Sequence, residues 1–480
     1  MKYKTAAISG SFSRLHSGHI AIIDFAKAIS ESVTIILERQ AEVDRADDRH
    51  LQFVSQSLEQ VAGVDRVLVV ANALAGLKDV KPEVVIKGGE FRDKYNPERE
   101  LIEQWGGEIL FFDEIQISTV IRDFSSPEYP IDLADIPREI RSLVVSKQQQ
   151  LLKILEGVRQ LRPLVLGDPI VDHWVECTAV GMSQEDFNVV HLPSNERKQV
   201  GGAALVAKHL HGIAGRCCYL FVNGIDDDFK VVDSDLSQLD GLDRCCFGEK
   251  GRITVRKTRF CCNNVVRFRL NNYTDEPMRT STQEYLYRRF EELSENAHIV
   301  LFSDFNYGGL PSEYVKKIIE TCGSRRIFMG ADSQKSSQAG GLVKYKGVQF
   351  VSATEFEVRD FAASIKLRGG LEYVGSTMVE ELELTYLFVK LGSSGVIGFQ
   401  REVESPIFMP SINKKPLDLS GAGDSMLSIA ALSLSYNGEL EDAMLLGSLA
   451  SALQVAKAGA SVLNSVDLRR LIYQISDYSG

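Results

Sequence analysis

Nowhere in the 480 residues do eighteen apolar residues follow one another, so no segment reads as a membrane-crossing helix. The apolar stretch before Gly10, preceded by Lys2 and Lys4, is too short for a signal peptide, and a cytoplasmic protein is expected. Positive charge is in deficit: 54 Lys and Arg against 65 Asp and Glu give a formal charge of −11. That balance argues against general nucleic-acid binding, and any anionic ligand must be held by local basic groups working against the overall field. Isolated cysteines are few. Of eight, six stand in adjacent pairs, Cys217-Cys218, Cys245-Cys246 and Cys261-Cys262, a poor geometry for bridging. With Cys177 and Cys322 apart, they read as reduced structural residues and not a zinc site. His209 and His211 are given no role. Internal repeats and low-complexity tracts are also missing.

What remains is a globular composition, 44% hydrophobic and 25% charged, in a chain too long for one core. Strand and helix patterns alternate in both halves, with Val33 to Leu37 and Val67 to Val70 in the first, and His298 to Ser303 and Arg326 to Met329 in the second. The alternation predicts parallel sheets flanked by helices, an α/β architecture throughout. Ser125-Ser126-Pro127-Glu128-Tyr129-Pro130 reads as an extended linker, since two prolines disfavour helix. Ile140 to Arg159 has helical spacing and is expected to dock on the domain that follows. The expected division is 1–125, a linker and docking helix over 126–160, and 161–480.

Residues 416 to 425, Pro-Leu-Asp-Leu-Ser-Gly-Ala-Gly-Asp-Ser, run into a helix marked by Leu427, Ala430, Ala431 and Leu434. Gly421 and Gly423 let backbone approach a phosphate, and the amides of Gly421, Ala422 and Gly423 point from the positive end of that helix. Asp424 follows at once, placed to accept a proton from an acceptor hydroxyl. This segment resembles the second signature of the ribokinase-like (PfkB) carbohydrate kinases, and the resemblance covers roughly residues 161 to 475. It implies a ribokinase-like α/β domain with a small β lid, and ATP as substrate. Asp172, in Gly167-Asp168-Pro169-Ile170-Val171-Asp172, matches the Asp that holds sugar hydroxyls. Gly201 and Gly202 match the glycines that let backbone approach the sugar, although Leu205 replaces the usual Asn. Lys390, Gly392 and Gly395 resemble the nucleotide-binding turn. Glu355 matches the Glu that organises Mg2+ and phosphate through water, with Ser352 where Asn is usual.

The first 125 residues carry a second chemistry. Gly10-Ser11-Phe12-Ser13-Arg14-Leu15-His16-Ser17-Gly18-His19 follows a short strand and precedes a helix marked by Ile22, Phe25, Ala26 and Ile29. Two imidazoles three residues apart at a helix start lie on one side, where they could donate to an α-phosphate and a departing pyrophosphate. A metal pair is disfavoured, because no Cys or carboxylate at ligand spacing stands nearby. The segment resembles the cytidylyltransferase-like nucleotidyltransferases, which implies a Rossmann-like domain with His16 and His19 catalytic and Gly10, Phe12 and Gly18 binding nucleotide. Ser118, Thr119 and Arg122 match the segment that closes the phosphate site in the same superfamily. Arg there suits phosphate, because its fork binds the oxygens bidentately.

Together with Lys81 to Phe91 and Trp105 to Ile109, these halves resemble the bifunctional heptose-7-phosphate kinase/heptose-1-phosphate adenylyltransferases of ADP-heptose synthesis, in reversed domain order. The partners implied are sugar phosphates and nucleoside triphosphates, and no nucleic acid or membrane. Whether the chain forms a homo-oligomer, which sugar it takes, and ATP versus CTP in the first domain stay open. Ser13 stands where the superfamily has Asp, and Leu37-Glu38-Arg39-Gln40 lacks the Lys-bearing loop of the adenylyltransferases, with Arg39 and Arg45 the candidates to replace that Lys. A nucleotide-binding regulatory module is therefore the alternative for this half, and a non-catalytic scaffold the alternative for both.

Overall fold

Short apolar runs, each followed by an amphipathic helix, build two parallel sheets. The computed structural model describes residues 3–10, 22–23, 25–27, 29–38, 55, 58, 64–88, 96–112, 131–185, 189–262, 265–334, 341–457, 459 and 461–478. The chain divides into two compact units, Met1–Tyr129 and Pro130–Gly480.

In the first unit, β1 (Tyr3–Gly10), β2 (Ser30–Glu38), β3 (Arg66–Val70), β4 (Val84–Gly88) and β5 (Glu108–Phe112) pair in the order β3-β2-β1-β4-β5. Every pairing is parallel. A parallel sheet buried on both faces needs apolar residues at successive positions. In β2, Ile35 and Leu37 face one core with Ile8 and Ile86, while Ile36 faces another with Leu77 and Ile102. The chain leaves β1 for β2 on one side and later returns to pair β4 on the other. The crevice at the carboxyl ends of β1 and β4 is thus the switch point where open α/β sheets bind ligands, and Gly10 ends β1 there.

The second unit opens with a helix, Arg138–Gly157, that buries Ile140, Val144, Leu151, Ile154 and Leu155. Its main sheet has nine strands in the order β10-β9-β6-β13-β14-β15-β16-β17-β18. These are β6 (Pro163–Gly167), β9 (Cys217–Asn223), β10 (Leu242–Gly248), β13 (Ile299–Asp304), β14 (Phe328–Ser333), β15 (Phe350–Thr354), β16 (Tyr386–Lys390), β17 (Val396–Gln400) and β18 (Ile407–Met409). The strands from β10 to β16 run parallel, and β17 and β18 add antiparallel at one edge. Val300, Phe302, Met329, Val351 and Leu387 form the core with the covering helices.

A separate four-stranded sheet rises from this frame: β7 (Pro169–Met182), β8 (Val189–Gly202), β11 (Val255–Cys262) and β12 (Val265–Asn272), ordered β12-β11-β7-β8. Residues directly opposite in a sheet share a face. Trp174 stands opposite Arg197 and Arg259, and Arg259 opposite Arg269, so these four form one row. Asp172, Lys257, Gln199 and Asn271 form the next row on the same face. All eight cysteines are free thiols. Among the described residues, no helix is long and apolar enough to cross a membrane.

Candidate functional site

The helix Ala422–Ser435 starts at Gly421, which takes a left-handed conformation (φ 78°) that favours glycine. A Cβ there would lie 2.8 Å from Leu205 Cδ2. Leu205, where the family's motif usually has Asn, is buried and packs against the turn. Helical bonding begins with Ser425 N–H donating to the Gly421 carbonyl at 2.9 Å. The amides of Ala422, Gly423 and Asp424 therefore head the helix without a helical acceptor, although Ala422 N–H also reaches the Leu419 carbonyl at 3.4 Å. Asp418 shapes the turn by accepting from Ser420 N–H and Gly459 N–H, each at 2.9 Å.

Asp424 is half-buried in the first turn of this helix. Burial, and then the charge of Asp332, push its carboxyl up to about 7, against the pull of Lys390 and Lys257. Lys390, at the end of β16, ion-pairs with Asp332 at the end of β14. A Cβ added to Gly423 would sit 3.4 Å from Lys390 Nζ and 3.9 Å from Asp332 Oδ2, so this pair borders the amides. Burial alone would lower the Lys390 pKa, but Asp332 and Glu357 raise it above the ordinary value. Lys390, Gly392 and Gly395 line a cavity of about 320 Å³ together with Asn413, Ala422 and Gly423.

The sheet β12-β11-β7-β8 brings the expected sugar residues together. A Cβ on Gly201 would come 2.6 Å from Asp172 Oδ2, so glycine there leaves room for the carboxylate. Arg259 Nη1 donates to Asp172 Oδ1 at 2.5 Å. Trp174 lies between two guanidinium groups, 4.6 Å from Arg197 and 4.9 Å from Arg259. Lys257 Nζ sits over Phe305 at 4.9 Å and Tyr307 at 5.4 Å. Burial lowers its pKa, with Arg259 and Arg269 adding to the effect and Asp172 and Asp424 opposing it. One face thus sets Lys257, Arg259 and Arg269 around Asp172, within electrostatic reach of Asp424.

The sequence profile of the pfkB family of carbohydrate kinases matches residues 171–466. The chain belongs to that family. Among curated proteins, two named bifunctional protein HldE are similar to this pfkB-family chain. One, from Vibrio atlanticus (strain LGP32), is 26% identical over 329 residues, which are 68% of this chain and 67% of that protein. The other, from Campylobacter curvus (strain 525.92), is 25% identical over 316 residues, 65% of each. The chain thus spans about two thirds of the length of these relatives. Solved structures share the fold. Phosphofructokinase-2 from Escherichia coli in complex with potassium aligns with a TM-score of 0.54 at 16% identity, covering 66% of this chain and 99% of that one. Ribokinase from Thermotoga maritima aligns at 0.53 and 17% identity, covering 65% and 99%.

In this pfkB-family chain the expected residues Asp172, Gly201 and Gly202 meet at one end of the small sheet, and Gly421, Ala422, Gly423, Asp424, Lys390, Gly392 and Gly395 gather at the helix start. Glu355 is partly exposed and ion-paired. Expected to organise magnesium, it opens the helix Glu355–Ser364 with its side chain 43% exposed, and accepts from Arg359 Nε at 2.7 Å. Glu357 is the carboxylate turned inward: its carboxyl is raised by burial and by Asp332, against the pull of Lys390. The sequence motifs assign no role to Lys257, Arg259, Asp332 or Glu357. For Glu357 a signal existed, because Thr354-Glu355-Phe356-Glu357 spells a capping box. That motif fixes Glu357 back toward the helix start, where its Oε2 accepts from Thr354 N–H at 2.7 Å. Gly10 ends β1, whereas Phe12, His16, Gly18, His19, Ser118, Thr119 and Arg122 lie outside the described residues.

Proposed function

We propose that the second unit phosphorylates a sugar that already carries a phosphate, with ATP as donor. The observation that carries this reading is the cationic face of Lys257, Arg259 and Arg269 beside Asp172, within reach of Asp424. A neutral sugar needs no such charge, and a phosphorylated one needs it in a chain of net charge −11. Asp172 accepts from the acceptor sugar's hydroxyls. Asp424 takes the proton of the hydroxyl that attacks the γ-phosphorus, the new P–O bond forms, and the bond to the departing ADP breaks. Helix-start amides and Lys390 stabilise charge on the transferring oxygens. Magnesium bound with the nucleotide would neutralise charge on the phosphates. The Oδ1 of Asp332, buried beside the helix start and without a hydrogen-bond partner, fits such a cation.

The first unit, in this reading, transfers a nucleotidyl group onto a sugar 1-phosphate with release of pyrophosphate. His16 and His19 stabilise charge on the α-phosphate, and Ser118, Thr119 and Arg122 hold the triphosphate. Gly10 at the switch point of the β3-β2-β1-β4-β5 sheet supports a nucleotide there. The product is an NDP-sugar, of the ADP-heptose type if the sugar is a heptose. Incubating the protein with a panel of sugars and sugar phosphates plus ATP or CTP, with products identified by mass spectrometry, tests both steps. The expected result is a bisphosphate from a sugar phosphate, lost in Asp424→Asn by about a hundredfold to ten-thousandfold, and an NDP-sugar unaffected by that change. Phosphorylation of neutral sugars in preference to sugar phosphates refutes the first assignment. An NDP-sugar absent from every mixture leaves the first unit as a nucleotide-binding module.

A further inference from the structure

The acidic groups beside the phosphate-facing helix start do not follow the expected motif. The carboxylate of Glu355 is engaged by Arg359, with Nη2 at 2.6 Å and Nε at 2.7 Å, and its side chain is 43% exposed. Two residues on, Glu357 is only 8% exposed. Its Oε2 is fixed by Thr354 N–H at 2.7 Å, and the Thr354 hydroxyl accepts from Glu357 N–H at 3.3 Å. The cap ties Glu357 to Thr354, which stands opposite Lys390 in the pairing of β15 with β16, and the charges of Asp332 and Lys390 both act on it. Asp332 is 7% exposed. Its Oδ2 is paired with Lys390 and lies 3.9 Å from where a Gly423 Cβ would be, while its buried Oδ1 has no hydrogen-bond partner. An orphaned carboxylate oxygen is costly unless something binds it.

Resting on the kinase reading above, we infer that Asp332 and Glu357, and not Glu355, hold the divalent cation that enters with the nucleotide. Magnesium is commonly bound by one or two carboxylates plus substrate phosphates, and not by a protein cage. The described residues offer no group of three or more His, Cys, Asp or Glu side chains able to hold a metal alone. Two carboxylates that become a site only when phosphate arrives match that chemistry. Lys390 keeps the pair from repelling the phosphate while the cation is absent. The exposed Glu355 is left to its ion pair.

Binding of Mn2+ to the full-length protein with ADP, followed by the loss of the free-ion electron paramagnetic resonance signal, tests the assignment without turnover. Glu357→Gln keeps an N3 side chain able to cap, so the helix start persists and only the charge is lost. Glu357→Gln and Asp332→Asn are each expected to weaken Mn2+ binding to the ADP complex tenfold or more. Glu355→Gln should change it less than twofold. ADP binding to Glu357→Gln in excess chelator should match that of the wild type. If Glu355→Gln weakens Mn2+ binding tenfold, or Glu357→Gln leaves it unchanged, the inference is overturned. If the wild-type protein takes up no ADP at all, the kinase reading falls and this inference with it.

Discussion

Asp424 sits where burial and a neighbouring carboxylate hold its proton more tightly than usual, with a pKa of about 7. A base must be ionised to accept a proton, so activity is lost as pH falls through that value and is full above it. The kcat/KM for the sugar, which reports the free enzyme, should therefore climb about tenfold per pH unit below about 7 and level off above. A profile that stays flat down to pH 5 would remove Asp424 from the role. Gly201 offers a steric test of the opposite site. Gly201→Ala would place its methyl 2.6 Å from Asp172 Oδ2 and turn the carboxylate away. The sugar KM should rise at least tenfold, with the KM for ATP and the melting temperature near wild type. An unchanged sugar KM would detach Asp172 from substrate.

In the proposed reading, the small sheet is the element on which substrate choice depends. Lys257 sets its ammonium over the rings of Phe305 and Tyr307, on the face it shares with Asp172. Lys257→Met keeps the packing and removes the charge. Loss of one charge-assisted contact costs about 1.5–3 kcal/mol, so the KM for a sugar phosphate should rise about tenfold to a hundredfold. The unphosphorylated sugar should respond far less, and equal effects on both would argue that Lys257 only packs. The strands of this sheet are legible in sequence as alternating runs, but their pairing is not. Trp174 and Arg259 are separated by most of two helices and three strands, and only the register makes them neighbours. The motifs around Asp172, Gly201, Lys390 and Asp424 are legible because each closes a strand or opens a helix. Turn chemistry is local. The Thr354 capping box was equally local and identifies Glu357 once the side-chain direction is considered.

At the scale of the molecule, the helix Arg138–Gly157 belongs to the kinase unit and not to a connection. Lys147 donates to Asp442 Oδ1 at 2.7 Å and lies 3.0 Å from Glu441, and Glu156 accepts from Arg469 at 2.6 Å. Even Asp135 pairs with Lys415, at 2.7 Å. A fragment of residues 130–480 should therefore be soluble and phosphorylate sugar phosphate at the rate of the whole chain. One beginning at 161 should lose the five buried apolar side chains of that helix and unfold at a distinctly lower temperature or aggregate. Calorimetry and a kinase assay on both would decide, and equal stability of the two would show the helix to be dispensable. His19→Ala should slow pyrophosphate release by about a hundredfold and leave phosphorylation untouched. Equal slowing of both reactions would contradict independent units. The chemistry proposed for the first unit rests on short motifs, in which histidines sit beside glycines in sequence, whereas its sheet order depends on crossovers that no local pattern specifies.

The rows on the small sheet also limit how this chain can change length. Asp172 and Trp174 share one face because they are two residues apart, with His173 between them on the opposite side. Removing one residue there would turn Trp174 outward and reverse every side chain beyond it. Insertions and deletions between Asp172 and Trp174 in β7, or between Lys257 and Arg259 in β11, should thus persist across related proteins only in even numbers, while the outer parts of these strands, where the register already shifts after Glu176 and after Phe260, can absorb single residues. Parity, and not length, is what selection would preserve in this part of the molecule.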